Sequence, residues 1–240
     1  MIKIEKSNQN ALFKTLSNLM PLYLPIKKAG EVNYGLFEEN AEVSYQTLKT
    51  VKSAKDLFFP QSQDMMAFKM QGKNIEIIDV RKQEQPFIIF GVKGCDLKSF
   101  EILDKVFLSD PVDTYYKAKR EAGIIFTLAC SRPEESCFCS VFGIDASEPK
   151  GDATCFVDNK NIYIQANTQK GQKVVDSIKH LGQEVDKNCV EEIKNSIKEI
   201  IKKLPFTNLD LKRFKPENLN DIFNDSRWQS LSESCLGCGT

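Results

Sequence analysis

Two apolar runs mark the middle of the chain, "FIIFGV" at 87–92 and "IIFTLAC" at 124–130. Runs that are apolar at every position, rather than at alternate ones, belong to strands covered on both faces. Between them, "KGCDLKSFEILDKVFL" sets Leu97, Phe100, Ile102, Leu103 and Val106 on a helical face, with Asp96 placed as its N-cap. "DTYYKAKREAG" follows as a second helix closed by Gly123. The order strand, helix, helix, strand predicts a parallel pair joined by a right-handed crossover.

The flanks are less regular. "NALFKTLSNLM" repeats Leu12, Leu16 and Leu19 at helical spacing, with Phe13 and Met20 on adjoining positions. "PLYLPIKK" holds two prolines and reads as extended, as does the stretch around "VNYGLF". "SYQTLKTV" reads as a short helix, and "DLFFPQ" stops against Pro60. "NIEIIDV" (74–80) and "NIYIQA" (161–166) are short, β-branched and turn-bounded, as strands are.

The last third is helical. "TQKGQKVVDSIKHLG" ends at Gly182. "NCVEEIKNSIKEIIKKL" places Val190, Ile193, Ile197, Ile200, Ile201 and Leu204 on one side, an outward Glu199–Lys203 pair on the other, and stops at Pro205. These patterns predict an α/β fold, with α+β as the variant. It has a mixed sheet, a parallel strand pair whose C-terminal edge carries a four-cysteine site, and C-terminal helices. The first domain spans 1–207; 208–240 reads as a linker, helical from about 218 to 231.

Composition narrows the function classes. With 33 basic and 33 acidic side chains the net charge is zero, so no charge excess points to nucleic acid or an anionic membrane. The start "MIKIEKSNQNALFKTL" has no apolar core of a secretory signal, and no run is long enough to span a bilayer. A cytoplasmic protein is the expectation. Eight cysteines in a reducing compartment point to metal binding or redox chemistry rather than structural disulfides. The single histidine, His180, argues against multi-histidine metal sites, and it fits a role near a helix end.

The cysteines repeat one arrangement. Cys95 follows the first buried strand, and Cys130 follows the second, trailed by Cys137 and Cys139 in "CSRPEESCFCS". Parallel strands put their carboxyl ends on one edge, where open α/β sheets place ligands. Cys95, Cys130, Cys137 and Cys139, spaced C-x34-C-x6-C-x-C, would then converge on that edge. Four thiolates hold either structural zinc or an iron–sulfur cluster. Lys93, Lys98 and Arg132 flank the set, as suits an anionic group. Ordinary buried cysteines with a redox-sensitive C-x-C are the plain alternative. A thiol enzyme using Cys137 or Cys139 has no adjacent base, because His180 lies far along the chain. Cys155 and Cys189 read as structural, and no glycine-rich dinucleotide fingerprint is present.

"GVKGCDLKSFEILDKVF" and "CSRPEESCFCSVFG", with "DLFFPQ" upstream and "WQSLSESCLGCGT" at the end, resemble a known family. The chain is similar to the β subunits of soluble NAD(P)-linked nickel–iron hydrogenases (sulfhydrogenases). It is also similar to the A-type subunits of anaerobic sulfite reductases and to related 4Fe-4S dicluster-domain electron-transfer proteins. The resemblance implies one 4Fe-4S cluster on Cys95, Cys130, Cys137 and Cys139. It implies a non-catalytic, anaerobic electron-transfer subunit between a flavoprotein that binds NAD(P) and a catalytic metal subunit. Cys235 and Cys238 match the opening of the family's ferredoxin motif, so 208–240 would lead into a truncated ferredoxin-like domain, and these two cysteines would be ligands only in a longer chain. The chain has Lys93-Gly94 where the family often has Arg-Pro.

Overall fold

The computed structural model describes residues 1–237. Among these, the strands are β1 (Ile2–Glu5), β2 (Leu22–Lys28), β3 (Glu31–Leu36), β4 (Ala67–Gln71), β5 (Asn74–Ile78), β6 (Phe87–Val92), β7 (Gly123–Leu128), β8 (Ala153–Val157), β9 (Asn161–Ala166) and β10 (Gln183–Glu184). The helices are α1 (Gln9–Leu19), α2 (Gly94–Phe107), α3 (Thr114–Ala122), α4 (Gln169–Ser177), α5 (Glu191–Lys202), α6 (Leu219–Phe223) and α7 (Arg227–Ser232). Eight strands form one mixed sheet in the order β10-β1-β9-β8-β7-β6-β2-β3. The expected parallel pairing of β6 with β7 is present, and β2–β6 and β7–β8 are parallel as well.

The continuous apolar runs have a direct structural reason. Every residue of β6 and β7 is buried. Alternate side chains point to opposite faces of a strand. Ile88, Phe90, Ile124 and Phe126 pack with Leu12, Phe13 and Leu16 of α1 and Val174 and Val175 of α4. Phe87, Ile89 and Ile125 face the other way, onto Phe100 of α2, Tyr116 of α3 and Phe58. A third cluster joins Phe156 and Tyr163 to Val190 and Ile197 beside α5. Each fully buried aliphatic or aromatic side chain in these layers contributes about 1.5–3 kcal/mol. The result is a central sheet with helices on both faces.

Several local expectations change. "SYQTLKTV" is not a helix but an irregular segment, pinned by the bridge Ile26↔Val43 and by Ser44 N–H donating to the Pro25 carbonyl at 2.8 Å. Asp96 does not cap α2; Lys93 occupies that position, and Asp96 sits in the first turn. Glu199 pairs with Lys202 rather than Lys203. "NIEII" is a strand, but with β4 it forms a separate hairpin whose Phe68, Met70, Ile75 and Ile77 stay exposed. Strands β1, β4, β8 and β10 lie where the pattern predicts none. Among the described residues, no helix is long and apolar enough to cross a membrane.

Candidate metal centre

The site forms where β6 and β7 end on the same edge. β6 carries a bulge, with its register shifting between Phe90 and Val92. Gly91 makes that shift at a φ of 93°, a left-handed conformation that favours glycine, and Tyr34 Oη donates to its carbonyl at 3.2 Å. The chain then turns through Lys93 into α2, so Cys95 lies in that helix's first turn. A Cβ on Gly94 would stand 3.1 Å from Ile144 Cγ2, so the start of α2 can lie tightly against the loop that follows Cys139.

Cys130 leaves β7 two residues past its end, and its N–H donates to the Ala146 carbonyl at 2.9 Å. Between these points the loop folds back on itself. The Cys137 N–H reaches the Glu134 carbonyl at 3.0 Å, the Glu134 N–H points at Cys137 Sγ at 3.3 Å, and the Ile144 N–H reaches the Cys139 carbonyl at 3.1 Å. The far end of the loop is anchored by Thr127 and Thr154, whose hydroxyls donate to the Pro149 carbonyl at 2.5 and 2.7 Å. Local hydrogen bonds and one 3-10 turn at Cys139–Phe142 thus give this loop a defined shape.

Cys95, Cys130, Cys137 and Cys139 all line one cavity of about 680 Å³. Phe138, Phe142, Ile144 and Ile201 give it apolar walls. Cys130 is buried, Cys137 and Cys139 are partly buried, and Cys95 is reached by solvent. Burial pushes the Cys130 and Cys139 thiols up, and each is raised further by other cysteines of the set. The Cys95 thiol is raised too, by the surrounding protein first and then by the Asp96 carboxylate. A thiol held in its neutral form releases its proton when a metal binds, since the thiolate is the ligand. Among the described residues, no three His, Cys, Asp or Glu side chains lie close enough to share one metal ion. Four sulfurs around one zinc, each about 2.3 Å from it, would lie within roughly 4 Å of one another.

The basic residues expected to flank the cysteines divide three ways. Lys93 is buried in the cavity wall, 5% exposed, and its ammonium donates to the Tyr45 carbonyl at 3.1 Å. Lys98 lines the cavity but donates to Glu101 Oε2 at 2.5 Å. Arg132 is exposed and does not line it. Asp96, expected to cap the helix, instead accepts from Ser53 Oγ at 2.9 Å and from Lys55 Nζ at 2.8 Å. Its charge is thereby turned toward the 53–55 segment. Sequence reasoning missed Tyr45 and the aromatic wall; the apolar side chains in the loop sequence "CFCSVF" were the available signal for the wall.

The remaining cysteines lie apart from this cavity. Cys155 is fully buried in the core, as expected, and burial strongly raises its thiol. Cys189, expected to be buried, is exposed, because it falls in the single turn before α5 rather than on that helix's inner face. His180 lies in a single turn after α4 rather than at the end of the helix itself. Cys235 is exposed, and Cys238 lies outside the described residues.

No family model matches the chain, and no solved structure matches it. Among curated proteins, it is 28% identical over 242 aligned residues to sulfhydrogenase 2 subunit beta of Pyrococcus furiosus. That alignment covers 99% of this chain and 69% of the other protein. The similarity to this sulfhydrogenase beta subunit runs along nearly the whole length of the chain.

Proposed function

We propose that this protein is an electron-transfer subunit of a hydrogenase-type redox complex, with one 4Fe-4S cluster held by Cys95, Cys130, Cys137 and Cys139. The observation that carries the reading is the convergence of these four thiols, from two chain segments, on one apolar-walled cavity. The donor set fits the group, because 4Fe-4S clusters are held by four cysteine thiolates. A cubane spreads its ligands over four irons. It therefore suits thiols that do not crowd around a single ion better than zinc does.

When bound, the cluster supplies one-electron redox chemistry at a potential set by its surroundings. The chain's own residues hold and insulate it. The 130–149 loop and the start of α2 fix the four sulfurs. The Phe138, Phe142 and Ile144 side chains limit water at the site. Lys93 places a positive charge in its wall. The relative's name, a sulfhydrogenase subunit, supports partners of the redox-complex kind. In this reading those partners are a flavoprotein that binds NAD(P) and a catalytic metal subunit, and the location is cytoplasmic. Residues 1–207 would form the cluster-binding domain and 208–240 would lead toward a ferredoxin-like one. Cys235 and Cys238 would serve there only in a longer chain.

The anaerobically purified protein is expected to show a broad visible absorption band that bleaches when dithionite is added. Colourless protein that carries zinc would favour the rival reading, a non-redox four-cysteine zinc scaffold.

A further inference from the structure

Among the described residues two lysines are buried, and their surroundings differ. Lys194, 6% exposed, meets Glu148 and Glu191, each at 3.0 Å. Lys93, 5% exposed, has no carboxylate within ion-pair distance among the described residues. One polar contact is made by its ammonium, which has three donor hydrogens: the Tyr45 carbonyl at 3.1 Å. An ammonium withdrawn from water without a counter-charge costs several kcal/mol, which is why buried cations are paired. Lys93 lines the same cavity as Cys95 and Cys130; burial disfavours its charged form, and negative charge on those two sulfurs favours it.

The position is held from both sides. Lys93 follows the bulge at Gly91, so the end of β6 fixes its backbone. Its acceptor, Tyr45, is fixed by its own contacts. The Tyr45 hydroxyl donates to Gln9 Oε1 at 2.8 Å, and its ring lies edge-on to Phe90 with centroids 6.5 Å apart. The fold thus builds a place for a cation that, among the described residues, has no carboxylate within ion-pair distance and shares its cavity with the four thiols.

We infer that Lys93 is the built-in counter-cation of the four-cysteine cavity and that its charge makes the site easier to reduce. The inference rests on the iron–sulfur reading above. A four-thiolate cluster is negative before reduction and more negative after it gains one electron. A fixed positive charge in a low-dielectric wall therefore stabilises the reduced form more than the oxidised form. The electron comes from a one-electron carrier, an iron–sulfur or flavin partner in the complex and dithionite in the test. No bond to Lys93 forms or breaks, and no proton moves. Lys93 is a positioning and tuning residue and makes no contact with a substrate.

The test compares anaerobically purified wild type, Lys93→Met and Lys93→Arg by iron and sulfide content and by mediated redox titration read by EPR. Lys93→Met is expected to keep its iron and to shift to a more negative midpoint. At the wild-type midpoint its ratio of reduced to oxidised protein should fall about tenfold, equivalent to about 59 mV for one electron. Lys93→Arg should restore most of the shift. If Lys93→Met cannot retain iron while Lys93→Arg can, the counter-cation role is supported through occupancy instead. An iron-replete Lys93→Met with an unchanged midpoint overturns the inference, and so does loss of iron from both variants. Wild-type protein without iron defeats the iron–sulfur reading itself, a result distinct from either.

Discussion

Replacing Cys130 with serine is expected to reduce bound iron from about four atoms per chain to near zero, with loss of the visible absorption. Cys130 is the most buried of the four cavity cysteines, and its N–H is tied to the Ala146 carbonyl at 2.9 Å. Serine keeps the backbone and nearly the volume of cysteine, so the variant should fold; what it removes is a thiolate. A hydroxyl is a poor ligand for a cluster that four thiolates hold, and among the described residues no cysteine outside the set lines the cavity to replace it. Two controls separate ligand loss from general damage. Cys155→Ser is expected to keep its iron while losing about 1–3 kcal/mol, because it buries a hydroxyl in the fully enclosed core. Cys189→Ala, at an exposed position, should change neither iron content nor stability. Undiminished iron in Cys130→Ser, measured alongside wild type, would remove Cys130 from the site.

Phe90→Ala should lower stability by about 3–5 kcal/mol, the usual cost of removing a large buried ring. Phe90 is fully buried in β6 and packs edge-on against Phe13 at 5.3 Å, with Tyr45 at 6.5 Å and Phe126 at 6.3 Å. It joins α1, the central strands and the Tyr45 segment, so its loss leaves a void that no single element can close. Against a total stability of roughly 5–15 kcal/mol, this is a large share. At this chain length it corresponds to a fall in Tm of about 6–20 °C. Urea denaturation followed by circular dichroism should show a lower midpoint with an unchanged slope. An unaltered midpoint would mean that the ring does not carry the packing ascribed to it. Because the Tyr45 carbonyl is the acceptor for Lys93, this variant links core packing to the wall of the cavity.

How much of this was legible in the sequence depended on how local each signal was. The runs at 87–92 and 124–128 revealed buried strands because both faces of β6 and β7 are covered, so neither strand needed a polar position. The cysteines were readable for the same reason: Cys95 and Cys130 sit just beyond those runs, and the parallel pairing of the strands carries them to one edge. Strand β8, "ATCFV", was hidden because its small and polar residues Ala153 and Thr154 are buried by neighbours distant in sequence. Thr154 becomes acceptable inside because its hydroxyl donates to the Pro149 carbonyl and accepts from Asn167 Nδ2. Strands β1 and β10 are too short, at four and two residues, to show a period.

The segment from Ser44 looked helical, but its backbone is tied to β2 at Ser44 and to β3 at Val51, and the Ser44 and Thr47 hydroxyls lie 2.6 Å apart. In the site, the positive charge of Lys93 was readable and its burial was not. That burial follows from the bulge at Gly91 and from Tyr45, forty-eight residues earlier in the chain. Arg132 had the same sequence credentials as Lys93, yet the turn it lies in leaves it in solvent.

The most direct test is a count of iron and acid-labile sulfide per chain on anaerobically purified protein, with an EPR spectrum after dithionite reduction. About four irons and about four sulfides are expected, with a reduced-cluster EPR signal from one centre. Zinc in place of iron, or no acid-labile sulfide, would contradict the iron–sulfur reading.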